Sequence, residues 1–220
     1  MIREALLQLL FPAKCVLCTR LLHGGQTGIC HCCRSKTGDF PDPRIRLPHL
    51  ESWTALWYYE GEVRDSLLRY KFQRRPAYAQ CYGQLLAVKL LQRGTEFDLL
   101  TWVPASRRRR RNRGYDQVAL LAAATAKELG LSATALLKKI RDNPPQSGLG
   151  SAAARRANVL GAYRVIDPQL IVGKRILLLD DVITTGATAG ECARMLLTAG
   201  AKEVHLLCVA AANHQVKTSR

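Results

Sequence analysis

The stretch LLLDDVITTGAT, residues 177–188, gathers two carboxylates, three hydroxyls and a glycine. Three leucines run into Asp180 and Asp181, and Thr184, Thr185, Gly186 and Thr188 follow. Burying one unpaired carboxylate costs several kcal/mol, so two in succession at the end of an apolar run imply a partner that wants negative charge or hydrogen-bond acceptors. A sugar diol or a bound cation meets that need.

With the acids at the carboxyl end of a strand, a loop over 183–188 crosses to the next helix. The backbone N–H groups of Ile183, Thr184, Thr185, Gly186, Ala187 and Thr188, the threonine hydroxyls and the positive end of that helix then converge on one point, a site for a terminal phosphate. Gly186 lets the backbone approach closely. This is not a Walker loop, which needs a glycine-rich run followed by Lys and Ser or Thr. The acids lie about one sugar width from the phosphate, roughly 5–7 Å on strand geometry, within reach of ribose hydroxyls. A ribose 5-phosphate is the ligand implied. The plain alternative is an ordinary strand-to-helix turn with a threonine N-cap.

A second constellation lies near the start. Cys15-Val-Leu-Cys18 and Cys30-His-Cys-Cys33 form two C-x2-C pairs separated by eleven residues. Two such turns facing each other place four thiolates around one ion, the arrangement of structural zinc. His31 and Cys32 lie inside the second pair, and either can replace a cysteine, although the spacing of Cys30 and Cys33 fits better. Redox disulfides are the competing reading, disfavoured in a reducing compartment. Cys81, Cys192 and Cys208 stand alone in apolar settings and read as small core residues.

The third is Ser106-Arg-Arg-Arg-Arg-Arg-Asn-Arg113, just after an apolar run at 99–103. The whole chain carries 33 Lys plus Arg against 17 Asp plus Glu, a net charge of +16. That excess favours nucleic acid, phosphorylated substrates or an acidic membrane face. For Arg108, Arg109, Arg110, Arg111 and Arg113, nucleic-acid contact and a solvated charged face both stay open.

These groups need a scaffold, and 220 residues suffice for one sizeable core with a small accessory module. Residues 1–40 hold a short amphipathic helix over 2–11 and the cysteine module; 41–52, with Pro41, Pro43 and Pro48, have linker composition; 53–220 form the main domain. A strand is expected over 53–59, a helix over 62–72 ended by Pro76, and a helix over 78–92. Then strands at 99–103, 132–137, 174–180 and 204–209 alternate with helices at 118–129 and 188–199. That rhythm implies an α/β fold, a parallel sheet flanked by helices, whose ligands sit at the carboxyl ends of the strands. Residues 142–158 lack hydrophobic periodicity and read as a long loop, a working lid or a disordered segment. The aromatics at Trp53, Trp57, Tyr58, Tyr59, Tyr70, Phe72, Tyr78 and Tyr82 read as core packing over base stacking. No segment approaches the roughly 20 apolar residues of a membrane helix, and no signal peptide is expected, so a cytoplasmic protein, peripheral at most to the inner membrane, is expected.

Residues 178–188 resemble the phosphoribosyl pyrophosphate (PRPP) motif of type I phosphoribosyltransferases. In that family the acidic pair holds the ribose 2′ and 3′ hydroxyls and the threonine-glycine loop holds the 5-phosphate. The resemblance extends over nearly the whole chain to the ComF family of competence-related proteins. It is carried by the double C-x2-C, Tyr70-Lys71-Phe72, Val103-Pro104, Arg113-Gly114-Tyr115-Asp116-Gln117, Gln146 and Arg156-Ala157-Asn158-Val159. Tyr115-Asp116 departs from the family's usual Phe-Asn.

The resemblance implies a type I phosphoribosyltransferase-like sheet with an N-terminal zinc module, and Mg2+ bound with PRPP. It implies that Ala105, Ser106 and Arg107 grip the pyrophosphate, and that Asp180, Asp181 and Arg107 carry catalysis. It also implies a mobile loop whose contacts are Gln146, Arg155, Arg156 and Asn158. The expected function is phosphoribosyl transfer linked to DNA uptake or nucleotide salvage. Rival readings are a non-catalytic protein binding single-stranded DNA, and a zinc-dependent scaffold for a helicase.

Overall fold

The computed structural model describes residues 12–41, 43, 45–142 and 152–213. The helix expected over 2–11 and the lid residue Gln146 lie outside the described residues. In chain order the elements are α1 (His31–Thr37), β1 (Ser52–Tyr58), α2 (Gly61–Phe72), α3 (Tyr78–Arg93), β2 (Leu99–Trp102), α4 (Arg107–Arg113), α5 (Gln117–Glu128), β3 (Leu137–Lys139), α6 (Ala152–Val159), β4 (Tyr163–Val165), β5 (Arg175–Ile183), α7 (Ala187–Thr198) and β6 (Glu203–Ala211).

The main sheet is parallel, in the order β1-β6-β5-β2. Its register places Leu178 of β5 between Thr101 of β2 and Leu206 of β6. Since successive strand residues point to opposite faces, the leucine run serves two cores. Leu177 and Leu179 pack with Tyr70, Tyr82, Leu86 and Leu121 from α2, α3 and α5. Ile176 and Leu178 pack with Cys192 and Leu196 from α7. Covering both faces turns β5 into a continuous apolar run. On the first face α3 crosses α5 closely: a Cβ at Gly83 would stand 2.6 Å from the Cβ of Ala124.

Four elements differ from the expected ones. The strand β5 continues through Asp180 and Asp181 to Ile183, because Val182 and Ile183 still pair with Ala210 and Ala211. The acids therefore lie within the strand rather than at its end. The strand expected over 132–137 begins only at Leu137 and runs antiparallel to β4; upstream, Ala133 forms one isolated bridge to Leu100. Part of the expected long loop is helical, since 152–159 form α6, which buries Val159 but otherwise keeps to polar and small residues that give no periodicity. The arginine run is a helix as well, with the Ser106 hydroxyl accepting the Arg109 N–H at its start and Gly114 ending it in the left-handed region.

The cysteine module and the proline-rich segment are docked on the sheet domain. Val16, Leu17 and Ile29 share the first core with α2 and α3. Ser66 and Arg69 of α2 donate to the carbonyls of Val16 and Leu17. Phe40 is buried, its ring 5.7 Å from Trp53 and 4.9 Å from Tyr58, and the Trp53 indole donates to the Ile45 carbonyl at 2.8 Å. Tyr70 and Tyr82 are fully buried, as core packing requires, but Phe72 is 67% exposed and lies under the Arg113 guanidinium at 5.1 Å.

Candidate functional site

A cavity of about 170 Å³ opens at the carboxyl ends of β2 and β5. Asp180 and Asp181 form its floor, and Lys71, Arg109, Arg113 and Lys139 supply four cations around it. Strand alternation separates the two acids. Asp181 points to the α2 and α5 face, where its Oδ1 lies 2.8 Å from Lys71 Nζ and its Oδ2 accepts Gln117 Nε2 at 3.2 Å. Asp180 follows Ile176 and Leu178 to the α7 face, and its Oδ1 accepts the Asp181 N–H at 2.8 Å.

The two environments push the carboxyls apart. Burial, and next the Asp181 charge, raise Asp180 to about 8. Burial acts upward on Asp181 too, but the Lys71 ammonium and the Gln117 hydrogen bond outweigh it and hold Asp181 below the usual carboxylate range. Burial lowers Arg113 and Lys139, which leaves both cations poorly solvated and favours an incoming anion. Arg113 Nη1 and Gln117 Oε1 are buried without a partner among the described residues.

Neighbouring hydroxyls tie down the backbone of Gln117 and of Tyr70, the residue before Lys71. Tyr70 OH donates to the Gln117 carbonyl at 2.5 Å, and Tyr115 OH donates to the Tyr70 carbonyl at 2.7 Å. Asp116 caps α5, its Oδ1 accepting the N–H groups of Val118 and Ala119, while its Oδ2 accepts the Ala105 N–H at 3.0 Å. The charge at position 116 thus ties the loop after β2 to α5.

The threonine loop is divided. Thr188 lines the acidic cavity, whereas Thr184 and Thr185 line a separate apolar recess with Ile45, Leu47 and Trp53. Gly186 takes φ 72° as the residue before α7, and a Cβ there would stand 2.6 Å from Leu47 Cδ2. Ile183 and Ala187 are buried, and the Thr185 hydroxyl is buried without a partner among the described residues.

The arginines are divided too. Arg109 and Arg113, one helical turn apart, line the acidic cavity. Arg107 and Arg110 instead line an adjoining groove of about 510 Å³ with Lys138, Arg141 and Arg164. Ala105 and Lys139 border both spaces, and Arg108 and Arg111 are exposed. Of the expected lid contacts, Asn158 lines the cavity, Arg155 is half-buried and Arg156 is exposed.

Sequence reasoning missed Lys71, Gln117 and Lys139 as cavity residues. Lys71 and Gln117 stood in quoted motifs, but only the fold shows that α2 and α5 bring them to Asp181. Lys139 sits on a short strand with no signal of its own.

The Sγ atoms of Cys15, Cys18, Cys30 and Cys33 lie within 4.8 Å of one another, with Cys18 and Cys30 at 3.7 Å. Four thiolates about 2.3 Å from a tetrahedral zinc stand roughly 3.8 Å apart, so the cluster fits that ion. Cys15 Sγ accepts the Cys30 N–H and Cys30 Sγ accepts the Cys33 N–H, both at 3.4 Å. The second of these bonds lowers the Cys30 thiol to about 7, toward the thiolate. His31 and Cys32 are exposed and outside the cluster. Of the lone cysteines, Cys192 and Cys208 are fully buried, while Cys81 is partly exposed beside Gly28. No described helix is long and apolar enough to cross a membrane.

Residues 119–220 match the phosphoribosyl transferase domain family. The DNA utilization protein YhgH of Escherichia coli O157:H7 is 32% identical over 222 aligned residues, covering 90% of this chain and 96% of that protein. Competence protein F of Haemophilus influenzae is 26% identical, with 89% and 96% covered. Competence protein ComFC of Streptococcus pneumoniae is 30% identical over 155 residues, 70% of this chain and 65% of that protein.

Proposed function

The chain belongs to the ComF family of phosphoribosyltransferase-domain proteins, and on that premise we propose that its acidic cavity binds PRPP with Mg2+ and supports transfer of the phosphoribosyl group. The observation that carries this reading is the pairing of two buried carboxylates with four cations in one cavity at the carboxyl ends of β2 and β5. A sugar with hydroxyls on one side and phosphates on the other matches that division of charge.

In this reading Asp180 and Asp181 accept the ribose hydroxyls. The 5-phosphate is taken by the end of the loop 183–188 that reaches the cavity, through Thr188 and the start of α7, while Thr184 and Thr185 line the separate recess. The pyrophosphate lies against Ala105, Ser106 and Lys139, and the arginines of α4 stabilise its growing charge as the bond from C1 to oxygen breaks. Arg109 and Arg113 reach the cavity directly, while Arg107 acts from the adjoining groove. The leaving oxygen keeps the electron pair, and an acceptor nucleophile forms the new bond to C1. Mg2+, when bound with PRPP, supplies further neutralisation while keeping most of its water shell. Asn158 of α6, which lines the cavity, with Arg155 and Arg156 beside it, covers the ligand and excludes water. Zinc at the four cysteines is structural.

The names of the relatives, DNA utilization protein and competence protein, favour a role connected to DNA uptake or to salvage of its nucleotides. The basic groove supports single-stranded DNA as a further ligand: Arg107, Arg110, Lys138, Arg141 and Arg164 line it beside the cavity. Incubating the protein with PRPP, Mg2+ and a panel of nucleobases and amines tests the enzymatic reading. Pyrophosphate release that depends on one acceptor and is lost in Asp180→Asn/Asp181→Asn is expected; release unaffected by those substitutions contradicts it.

A further inference from the structure

In the structure Asp181 already has a partner on each carboxylate oxygen, Lys71 at 2.8 Å and Gln117 at 3.2 Å. The ion pair is nearly enclosed, with the Lys71 side chain 17% exposed and that of Asp181 8% exposed. Each oxygen keeps a further lone pair, but with the carboxylate this enclosed an incoming hydroxyl has little room to approach until a donor swings aside. Gln117 is anchored through its backbone, whose carbonyl accepts Tyr70 OH where the residue opens α5 directly after the Asp116 cap. Lys71 carries its ammonium on a four-carbon stem in the last turn of α2 and lines the cavity beside three other cations, so rotation about that stem can carry it from Asp181 to a bound anion.

We infer that Lys71 is an exchangeable counter-ion of Asp181, which moves to the anionic oxygens of the ligand when a hydroxyl takes its place on the carboxylate. This rests on the phosphoribosyl reading for the identity of the ligand. The exchange needs a ligand that both donates to Asp181 and accepts from Lys71. A phosphate without the diol must pull Lys71 from Asp181 with nothing to replace it, and a sugar without phosphate leaves Lys71 stranded. Lys71 is therefore a specificity-determining residue that couples recognition of the two halves of the ligand.

Inorganic pyrophosphate, an anion without a sugar diol, tests the exchange separately from the phosphoribosyl reading. Titrations compare wild type, Asp181→Asn, Lys71→Met and the double variant. Freeing Lys71 by Asp181→Asn tightens pyrophosphate binding roughly tenfold, the scale of a charge-assisted hydrogen bond. The gain is several-fold smaller with Met at position 71, and Lys71→Arg restores it. An equal gain in both backgrounds, the result of simple charge removal, overturns the inference. If Lys71→Met does not fold, Lys71→Gln serves in the same cycle. With PRPP, Lys71→Met weakens binding more in the Asp181→Asn background than in wild type; an effect that vanishes with Asp181 removed means that Lys71 only orients the carboxylate, and also overturns it. Coupling with pyrophosphate but no binding of PRPP leaves the exchange standing and removes the phosphoribosyl reading instead.

Discussion

Adjacent aspartates on a strand do different work because alternation sends them to opposite faces. Asp181 is the ion-pair partner of Lys71, while burial, and next the Asp181 charge, push the Asp180 carboxyl well above the usual carboxylate range. The Asp180 carboxyl rises from an ordinary 3.8 to about 8 on folding. Between those values the native state holds more protons than the unfolded chain, so stability falls as pH rises from about 4 to about 8. Asp180→Asn removes that contribution. Urea unfolding at pH 5 and pH 8 is expected to show a smaller loss of stability in the variant than in wild type; equal losses contradict the environment assigned to Asp180. The acidic pair at the end of an apolar run was legible as a local pattern, but the division of the threonine loop between two recesses was not. Nor was the ion pair to Lys71, since it joins residues separated by half of the chain.

At the scale of elements, α4 acts as a wall between two basic spaces. Its arginines read as a uniform run in the sequence, but helical spacing gives Arg109 and Arg113 to the cavity and Arg107 and Arg110 to the groove. If single-stranded DNA lies in the groove, Arg107→Glu/Arg110→Glu weakens its binding and flattens the salt dependence, whereas Arg108→Glu/Arg111→Glu on the exposed side has little effect. Equal effects of the two pairs contradict a defined groove. A second element, α2, links the cysteine turn to the cavity: Ser66 and Arg69 hold the carbonyls of Val16 and Leu17, and Lys71 follows two residues after Arg69. Cys15→Ser is expected to lower metal content from about one ion per chain and to speed amide exchange in α2. Loss of metal with unchanged exchange in α2 contradicts that link. The α2, α3 and α5 helices were legible from their apolar spacing. The start of β3 and the helical part of 142–158 were not, because three paired residues and a mostly polar helix carry almost no periodic signal.

For the whole molecule, the parallel sheet explains why distant motifs meet. β2 and β5 are neighbours, so the loop after β2, the acids of β5 and the start of α7 converge at one end. The strand and helix alternation made that convergence legible in advance, and the family's domain covers the part of the chain that builds β5, α7 and β6. The docking of the cysteine module onto α2 and α3 was not legible, since linker composition says nothing of what a segment packs against. The cavity at this end of the sheet is proposed as a PRPP site. Calorimetric titration of PRPP with Mg2+ into wild type and into Asp180→Asn/Asp181→Asn tests it most directly. Saturable one-to-one binding by wild type, weakened at least roughly tenfold in the variant by loss of the acceptors for the ribose hydroxyls, is expected. No binding to folded wild type, or equal binding to both proteins, would contradict the assignment.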